Sequence, residues 1–321
     1  MLANSLARVL VFVLGCFSVL AAQAANLERA EALRVLTRAA TAAETVNYSG
    51  NYILQYGDSV TNFQITHLIE NGISTERRIL LDGETKEYIR IGDKVMMYPP
   101  PGNGFVIDRR YTSKLFPNHL PSDLSGLLSS YGLSKIGRDR VAGREALVYQ
   151  LEPLDAYRYP QRFWVDEESG LILKWLMMGM RHEVVQRFNF AQIQVGGGID
   201  RKLLKPTHAV RAVPVVEGEA IDLASDPHWQ IKPSIPGFKL IKQSTRTLPH
   251  KHREVLHHLY SDGAVTLSVF IEPMNSSLPL GLAHQGPIHL YARQVGGNLV
   301  SCLGEVPAAT VEGFSNAYAP R

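Results

Sequence analysis

From Tyr48 onward the chain alternates apolar and polar residues with a period of two. Phe63, Ile65, His67 and Ile69 interleave with Asn62, Gln64, Thr66 and Glu70, so one side of that stretch is apolar and the other polar. The pattern predicts strands over 48–56, 62–70, 73–81, 85–91 and 94–98. Between them stand Gly57-Asp58, Asn71-Gly72, Asp82-Gly83 and Gly92-Asp93. Asn-Gly and Asp-Gly are strong hairpin signals because both central residues must accept positive φ. Turns recurring about every ten residues describe an antiparallel meander. Upstream, over 26–46, the period lengthens to that of a helix. Asn26 is placed to cap it, Glu28 and Glu31 suit its positive end, and Leu33, Leu36, Ala40 and Ala43 form its apolar stripe.

Pro99-Pro100-Pro101-Gly102 interrupts the strands and opens an irregular stretch in which 124–131 reads as a short helix. Strands resume over 133–138, 145–152, 162–165, 171–177 and 183–195. Nine or ten strands with one helix at the start fit an α+β fold, a large curved antiparallel sheet wrapped around helices as an unclosed barrel. From Gly196-Gly197-Gly198 the composition shifts to scattered prolines and charges, as an interdomain linker requires. Beyond it, strands over 238–245, 255–261, 264–271, 288–295 and 298–303 precede a helix opening at Pro307. The expected organisation is a leader over 1–24, a large domain over 25–205, a linker over 206–227 and a smaller α+β domain over 228–321.

The leader assignment rests on Arg8, the apolar run Val9 to Ala22, and the small-x-small triplet Ala22-Gln23-Ala24. That run is shorter than the roughly 20 residues of a membrane span. Cleavage after Ala24 exports the chain, and few cysteines with a short signal suit a periplasm. Processing as a lipoprotein at Cys16 and retention as an uncleaved anchor are the alternatives. The mature chain keeps one cysteine, Cys302, so stability must come from packing, and the strand around it predicts a small buried apolar side chain. Without Arg8 the chain carries 32 basic and 30 acidic side chains, which leaves no global field to recruit nucleic acid.

No nucleophile elbow, phosphate-cradling glycine loop, H-E-x-x-H or C-x-x-C is present. Ser, His and Asp occur without any pattern that groups them, so a binding protein without cofactor is expected rather than an enzyme. Seven of the eleven histidines lie beyond residue 227, with His250, His252, His257 and His258 close together. Adjacent His257 and His258 point to opposite faces of a strand, and no cysteine or carboxylate completes a metal set. A solvated hairpin end or a pH-sensitive surface accounts for them better. Lys239, Lys242, Arg246, Lys251 and Arg253 form a basic stripe with no acidic residue between 239 and 253. It is a candidate surface for an acidic partner segment or lipid phosphates, or an edge strand protected by charge. The apolar side of the large sheet supplies the candidate lining of an acyl-chain site: Phe63, Ile65, Ile79, Leu81, Phe105, Trp164, Leu173 and Trp175. Each also serves simply as core.

An ordered set of short motifs carries a family resemblance. Asn47-Tyr48-Ser49-Gly50-Asn51-Tyr52-Ile53 with Gln55, and Phe163-Trp164-Val165-Asp166 with Ser169-Gly170-Leu171, fall in the first domain. Pro236-Gly237-Phe238, Ser261-Asp262-Gly263, Ser268-Val269-Phe270-Ile271-Glu272 and Gly304-Glu305-Val306-Pro307 fall in the second. Together they resemble the MucB/RseB family of periplasmic sigma-E regulators. The resemblance implies a large domain similar to the lipoprotein carriers LolA and LolB, followed by a small one. It also implies a partner, the periplasmic domain of an RseA/MucA-like membrane anti-sigma factor, through which the chain is peripheral to the inner membrane. The partner is shielded from regulated proteolysis until mislocalised lipid, such as lipopolysaccharide, releases the chain. The family has no catalytic residues. A plain lipid carrier is the competing reading, against which the second domain counts, and self-association is left open.

Overall fold

The computed structural model describes residues 25–92, 94–98, 115–207, 213–214, 229–232, 235–247, 254–274 and 280–321. Helix α1 (Arg29–Thr45) leads into strands β1 (Tyr48–Tyr56), β2 (Ser59–Glu70), β3 (Ile73–Leu80), β4 (Glu87–Ile91) and β5 (Lys94–Tyr98). After α2 (Leu124–Leu127) come β6 (Tyr131–Val141), β7 (Arg144–Pro153), β8 (Gln161–Asp166), β9 (Ile172–Met178) and β10 (Val184–Val195). A two-residue strand, β11 (Val213–Pro214), completes an 11-stranded antiparallel sheet of order β11-β5-β4-β3-β2-β1-β10-β9-β8-β7-β6. The chain runs outward from β1 to one edge, crosses to the other, and returns to lay β10 against β1. β11 and β6 end the order without pairing to each other, so the sheet is an unclosed barrel.

Helix α1 buries Ala32, Leu36, Ala39, Ala42 and Ala43 against this sheet. Asn26 does not cap it. The helix starts three residues later, its capping residue Glu28 makes no side-chain cap, and Asn26 instead bridges to Ser134 of β6. The buried stripe takes Ala32 rather than Leu33, which stays half-buried. The segment before α2 crosses the concave side. Phe116 packs there on Tyr52, Phe188 and Phe190, with ring centroids 5.2, 5.4 and 5.0 Å away. Burying an aromatic of that size contributes on the order of 2 kcal/mol. Gly50 belongs beside a register shift at Asn51/Tyr52, where a Cβ would meet the Gln192 carbonyl oxygen at 2.3 Å.

The second sheet has order β13-β14-β15-β18-β17-β16. Its members are β13 (Lys239–Thr247), β14 (Glu254–Ser261), β15 (Thr266–Pro273), β16 (Gly281–Gln285), β17 (Ile288–Val295) and β18 (Asn298–Gly304). Helix α3 (Ala308–Asn316) covers it through Val311 and Phe314. The ends of the small domain are tied by β12 (Trp229–Ile231) pairing with β19 (Tyr318–Pro320). Cys302 is fully buried, and burial pushes its thiol well above the ordinary range. The core of this domain continues into the large one, taking in Tyr159 and Met177, while Ala264 packs on both cores. The linker composition therefore does not leave the described parts of the two domains apart; they share packing.

Candidate binding site at the domain junction

The junction is organised by one fully buried guanidinium. Arg158 lies in the loop between β7 and β8, and its Nε donates to Asp262 Oδ2 at 2.7 Å. Its Nη2 donates to the Pro236 carbonyl at 2.5 Å and its Nη1 pairs with Asp155. The Phe238 ring lies 4.7 Å from the guanidinium carbon, a cation–π contact. Tyr131 Oη donates to Asp262 Oδ2 at 3.3 Å, and burial, with Asp262 beside it, pushes that phenol well above its ordinary range. The other Asp262 oxygen accepts from the amides of Ala264 and Val265, which fixes the turn between β14 and β15. An unpaired charge so deep would be prohibitive, and this set of partners satisfies both ions. Gly237 has φ +86°, and a Cβ there would meet Ser130 Oγ at 2.3 Å and Arg158 Nη2 at 2.6 Å. Pro236-Gly237-Phe238 and Ser261-Asp262-Gly263 are thus two halves of one interdomain lock.

Beside the lock opens a cleft of about 480 Å³. Pro121, Ser122, Asp123 and Gly126 line one side, and Lys239, Ile241 and the Ser261–Thr266 turn line the other. That volume, with a mostly apolar wall at a domain boundary, is the usual setting of a ligand site. Lys239 reaches Asp123 across the rim at 3.1 Å, both side chains exposed. His119 forms part of the floor, edge-on to Phe188 (4.6 Å) and Trp175 (5.4 Å). Burial and nearby Arg78 push its pKa down to about 3, so the imidazole is neutral. Behind it an aromatic row runs Trp175, Phe163, Tyr149, with stacked centroids 5.1 and 5.6 Å apart.

The candidate lining residues divide between the two faces of the sheet. Phe63 stacks on Tyr52 at 5.1 Å, and Ile65, Leu173 and Trp175 are buried in the same core. Trp164 is buried in that core too, but as the neighbour of Phe163 along β8 it turns its ring to the opposite face. There it donates to Asp139 at 2.8 Å and carries Lys174 over its ring at 4.1 Å. Ile79 likewise alternates with Arg78, which reaches Tyr52 on the concave side, so Ile79 faces away. Leu81 lies past the end of β3 and is exposed. Phe105 lies outside the described residues. The concave side is occupied by Phe116 and its neighbours at the positions where an acyl chain was expected.

In the basic stripe, Lys239 and Lys242 stand on the edge strand β13; the Arg246 side chain, Lys251 and Arg253 lie outside the described part. His257 and His258 are buried rather than solvated. His257 stacks on Phe270 at 4.4 Å, and His258 Nδ1 lies 2.6 Å from Tyr318 Oη. They sit on a strand paired on both edges, by β13 and β15, and both side chains are buried, which removes a solvated hairpin end as their explanation. His250 and His252 lie outside the described residues. Among the described residues no cluster of three or more His, Cys, Asp or Glu side chains is arranged to hold a metal.

Part of the concave side is a polar wall. Glu76 and Arg78 project from β3 into the concave side, where Arg78 donates to Glu76 (2.9 Å), Tyr52 Oη (2.6 Å) and the Phe116 carbonyl (2.9 Å). Arg90 reaches Glu76 at 3.3 Å. Burial alone would raise the Glu76 pKa, but Arg78 and Arg90 outweigh it and hold the carboxyl below its usual range. On the convex face Arg77 pairs with Glu87 and donates to the Leu203 carbonyl, pinning the chain that leaves the large domain. The signal was present: Glu76-Arg77-Arg78 puts charge on both faces of an interior strand, so each face needs partners.

Two antiparallel sheets locked by buried ions, with a cleft at their seam, form a two-domain scaffold suited to a binding protein. The chain belongs to the MucB/RseB family: the N-terminal domain model matches residues 31–208 and the C-terminal domain model residues 224–318. It is similar to the sigma factor AlgU regulatory protein MucB of Pseudomonas aeruginosa, 29% identical over 91% of this chain and 92% of that one. It is also similar to the sigma-E factor regulatory protein RseB of Haemophilus influenzae, 25% identical over 92% and 93%. Among solved structures, the Pseudomonas aeruginosa MucA/MucB complex matches with TM-score 0.75 at 27% identity, covering 91% of this chain and 99% of that one. A second structure, MucB in complex with MucA(peri), matches with TM-score 0.72 at 26% identity, over 90% and 99%.

Proposed function

We propose that this protein is a periplasmic negative regulator of a sigma-E-type envelope-stress response. It binds the periplasmic part of an RseA/MucA-like membrane anti-sigma factor and shields it from regulated proteolysis. Mislocalised lipid such as lipopolysaccharide releases it. The observation that carries the reading is the locked two-domain junction with its cleft, in a chain that matches partner-bound relatives over both domains. The partner docks along the small domain and its seam with the large one, where Lys239 and Lys242 offer positive charge to an acidic segment. Lipid acts by favouring an arrangement with weaker partner affinity, since a ligand shifts an equilibrium only through differential binding. Its acyl chains enter against Phe63, Ile65, Leu173 and Trp175 by displacing the Phe116 segment.

A protection assay tests this. The partner's periplasmic segment, incubated with the first protease of its cascade, should stay intact when residues 25–321 of this chain are present. The double variant Lys242→Glu, Arg246→Glu should protect it at least about tenfold less well, the loss expected when charge pairs at an interface turn repulsive. Unchanged protection would remove the stripe from the interface, and no protection by the unaltered chain would remove the reading.

A further inference from the structure

The domains meet at a second place, remote in sequence from the Arg158 lock. Glu305 leaves the end of β18, and its carboxylate accepts from Gln186 Nε2 of β10 at 3.2 Å, across the junction. Among the described residues no cation lies within ion-pair distance of it. The surrounding groups come from both domains. Tyr56 at the end of β1 donates to the Gln285 carbonyl at 3.3 Å. His289 Nδ1 lies 2.8 Å from the Val306 carbonyl oxygen and 3.4 Å from Tyr159 Oη, and the His284 ring is 5.7 Å from that of His289. Glu183, in the turn before β10, lies near Tyr159, and Arg187 follows Gln186 along β10 and so turns to the other face.

We propose that Glu305 makes docking of the small domain onto the β1 and β10 strand ends respond to pH, docking tightening as the carboxyl takes up a proton. The geometry supplies the reason. A carboxylate half-buried at the junction and held by a single neutral amide is costlier when charged than when neutral. Burial raises the Glu305 pKa, and the Gln186 hydrogen bond only partly opposes it. Tyr56 and Tyr159 stay neutral throughout, burial with Glu305 and burial with Glu183 each pushing the phenol up to about 12. For an acid whose pKa is raised on docking, the penalty is absent at low pH. It grows as pH climbs from the ordinary carboxylate value through the docked value, and is constant above. This inference concerns the chain alone and goes beyond partner binding, so it stands or falls without the anti-sigma factor.

The test is energy transfer between fluorophores on Leu81→Cys in the large domain and Gln294→Cys in the small one, with buried Cys302 left untouched. It is run on the full mature chain from about pH 8 to about pH 4, which spans the range of a raised carboxyl. Transfer should rise on acidification in the parent, and Glu305→Gln, which keeps the shape and removes the charge, should hold the docked value at every pH. Imidazole changes charge in the upper part of this range, so His289→Asn is run in parallel and should retain the parent's slope. A parent without slope, a slope that survives Glu305→Gln, or one that disappears with His289→Asn would each overturn the proposal.

Discussion

Replacing Asp262 with alanine is expected to destabilise the protein by about 3–5 kcal/mol, the cost of removing one partner from a fully buried ion pair. Arg158 would keep its charge in a site with no exposure, where the remaining partners are Asp155, the Pro236 carbonyl and the Phe238 ring. The amides of Ala264 and Val265 would lose their acceptor as well, so the turn that lines the cleft loosens. Urea unfolding monitored at Trp229 in the small domain and at Trp175 in the large one checks this. A single transition should split into two if the lock couples the domains. The double variant Arg158→Met, Asp262→Leu should recover only the part of the loss that comes from the stranded charge, because an apolar pair needs no counter-ion, while the Ala264 and Val265 amides still lack their acceptor. If Asp262→Ala costs less than about 1 kcal/mol, the value of an exposed pair, the lock is not what holds the seam.

Arg78→Met is the second large effect, again about 3–5 kcal/mol on the buried-pair argument. It strands Glu76 with Arg90, whose side chain is partly in water, and it removes the donor that ties Phe116 and Tyr52 to the concave wall. The pH dependence gives a second readout. In the parent, the depressed Glu76 pKa contributes stability that is present above the ordinary carboxylate value and lost as pH falls through the folded one. The variant should therefore lose less on going from about pH 7 to about pH 3 than the parent does, a difference that chemical unfolding at the two values measures. Freed of Arg78, the Phe116 segment should lift more readily and admit an apolar dye. Undiminished stability with unchanged dye uptake would separate Arg78 from the proposed lipid entry.

Much of this architecture was legible in the chain, and what was hidden was hidden for identifiable reasons. Strand β1 and strand β5 fall at 48–56 and 94–98 as their alternation and turns predict, because short hairpins carry their own register. β16 escaped notice because four of its five residues are exposed, so no apolar alternation marks it. β12 and β19 pair residues 229–231 with 318–320, and no local pattern announces a partner so far along the chain. The lining residues show the limit most clearly. Apolar character alone placed Ile79 and Trp164 beside Phe63 and Trp175, whereas one step along a strand reverses the face. Their neighbours Arg78 and Phe163 are the ones that point inward. Asp262 and Gly237 stood in quoted motifs, but that they meet around Arg158 is a fact of tertiary structure alone.

The most direct measurement is a binding titration of residues 25–321 against the periplasmic segment of the anti-sigma factor, repeated with lipopolysaccharide. Tight binding that the lipid reverses is the predicted result. Failure to bind the segment while still binding the lipid would contradict a regulator and leave a lipid carrier.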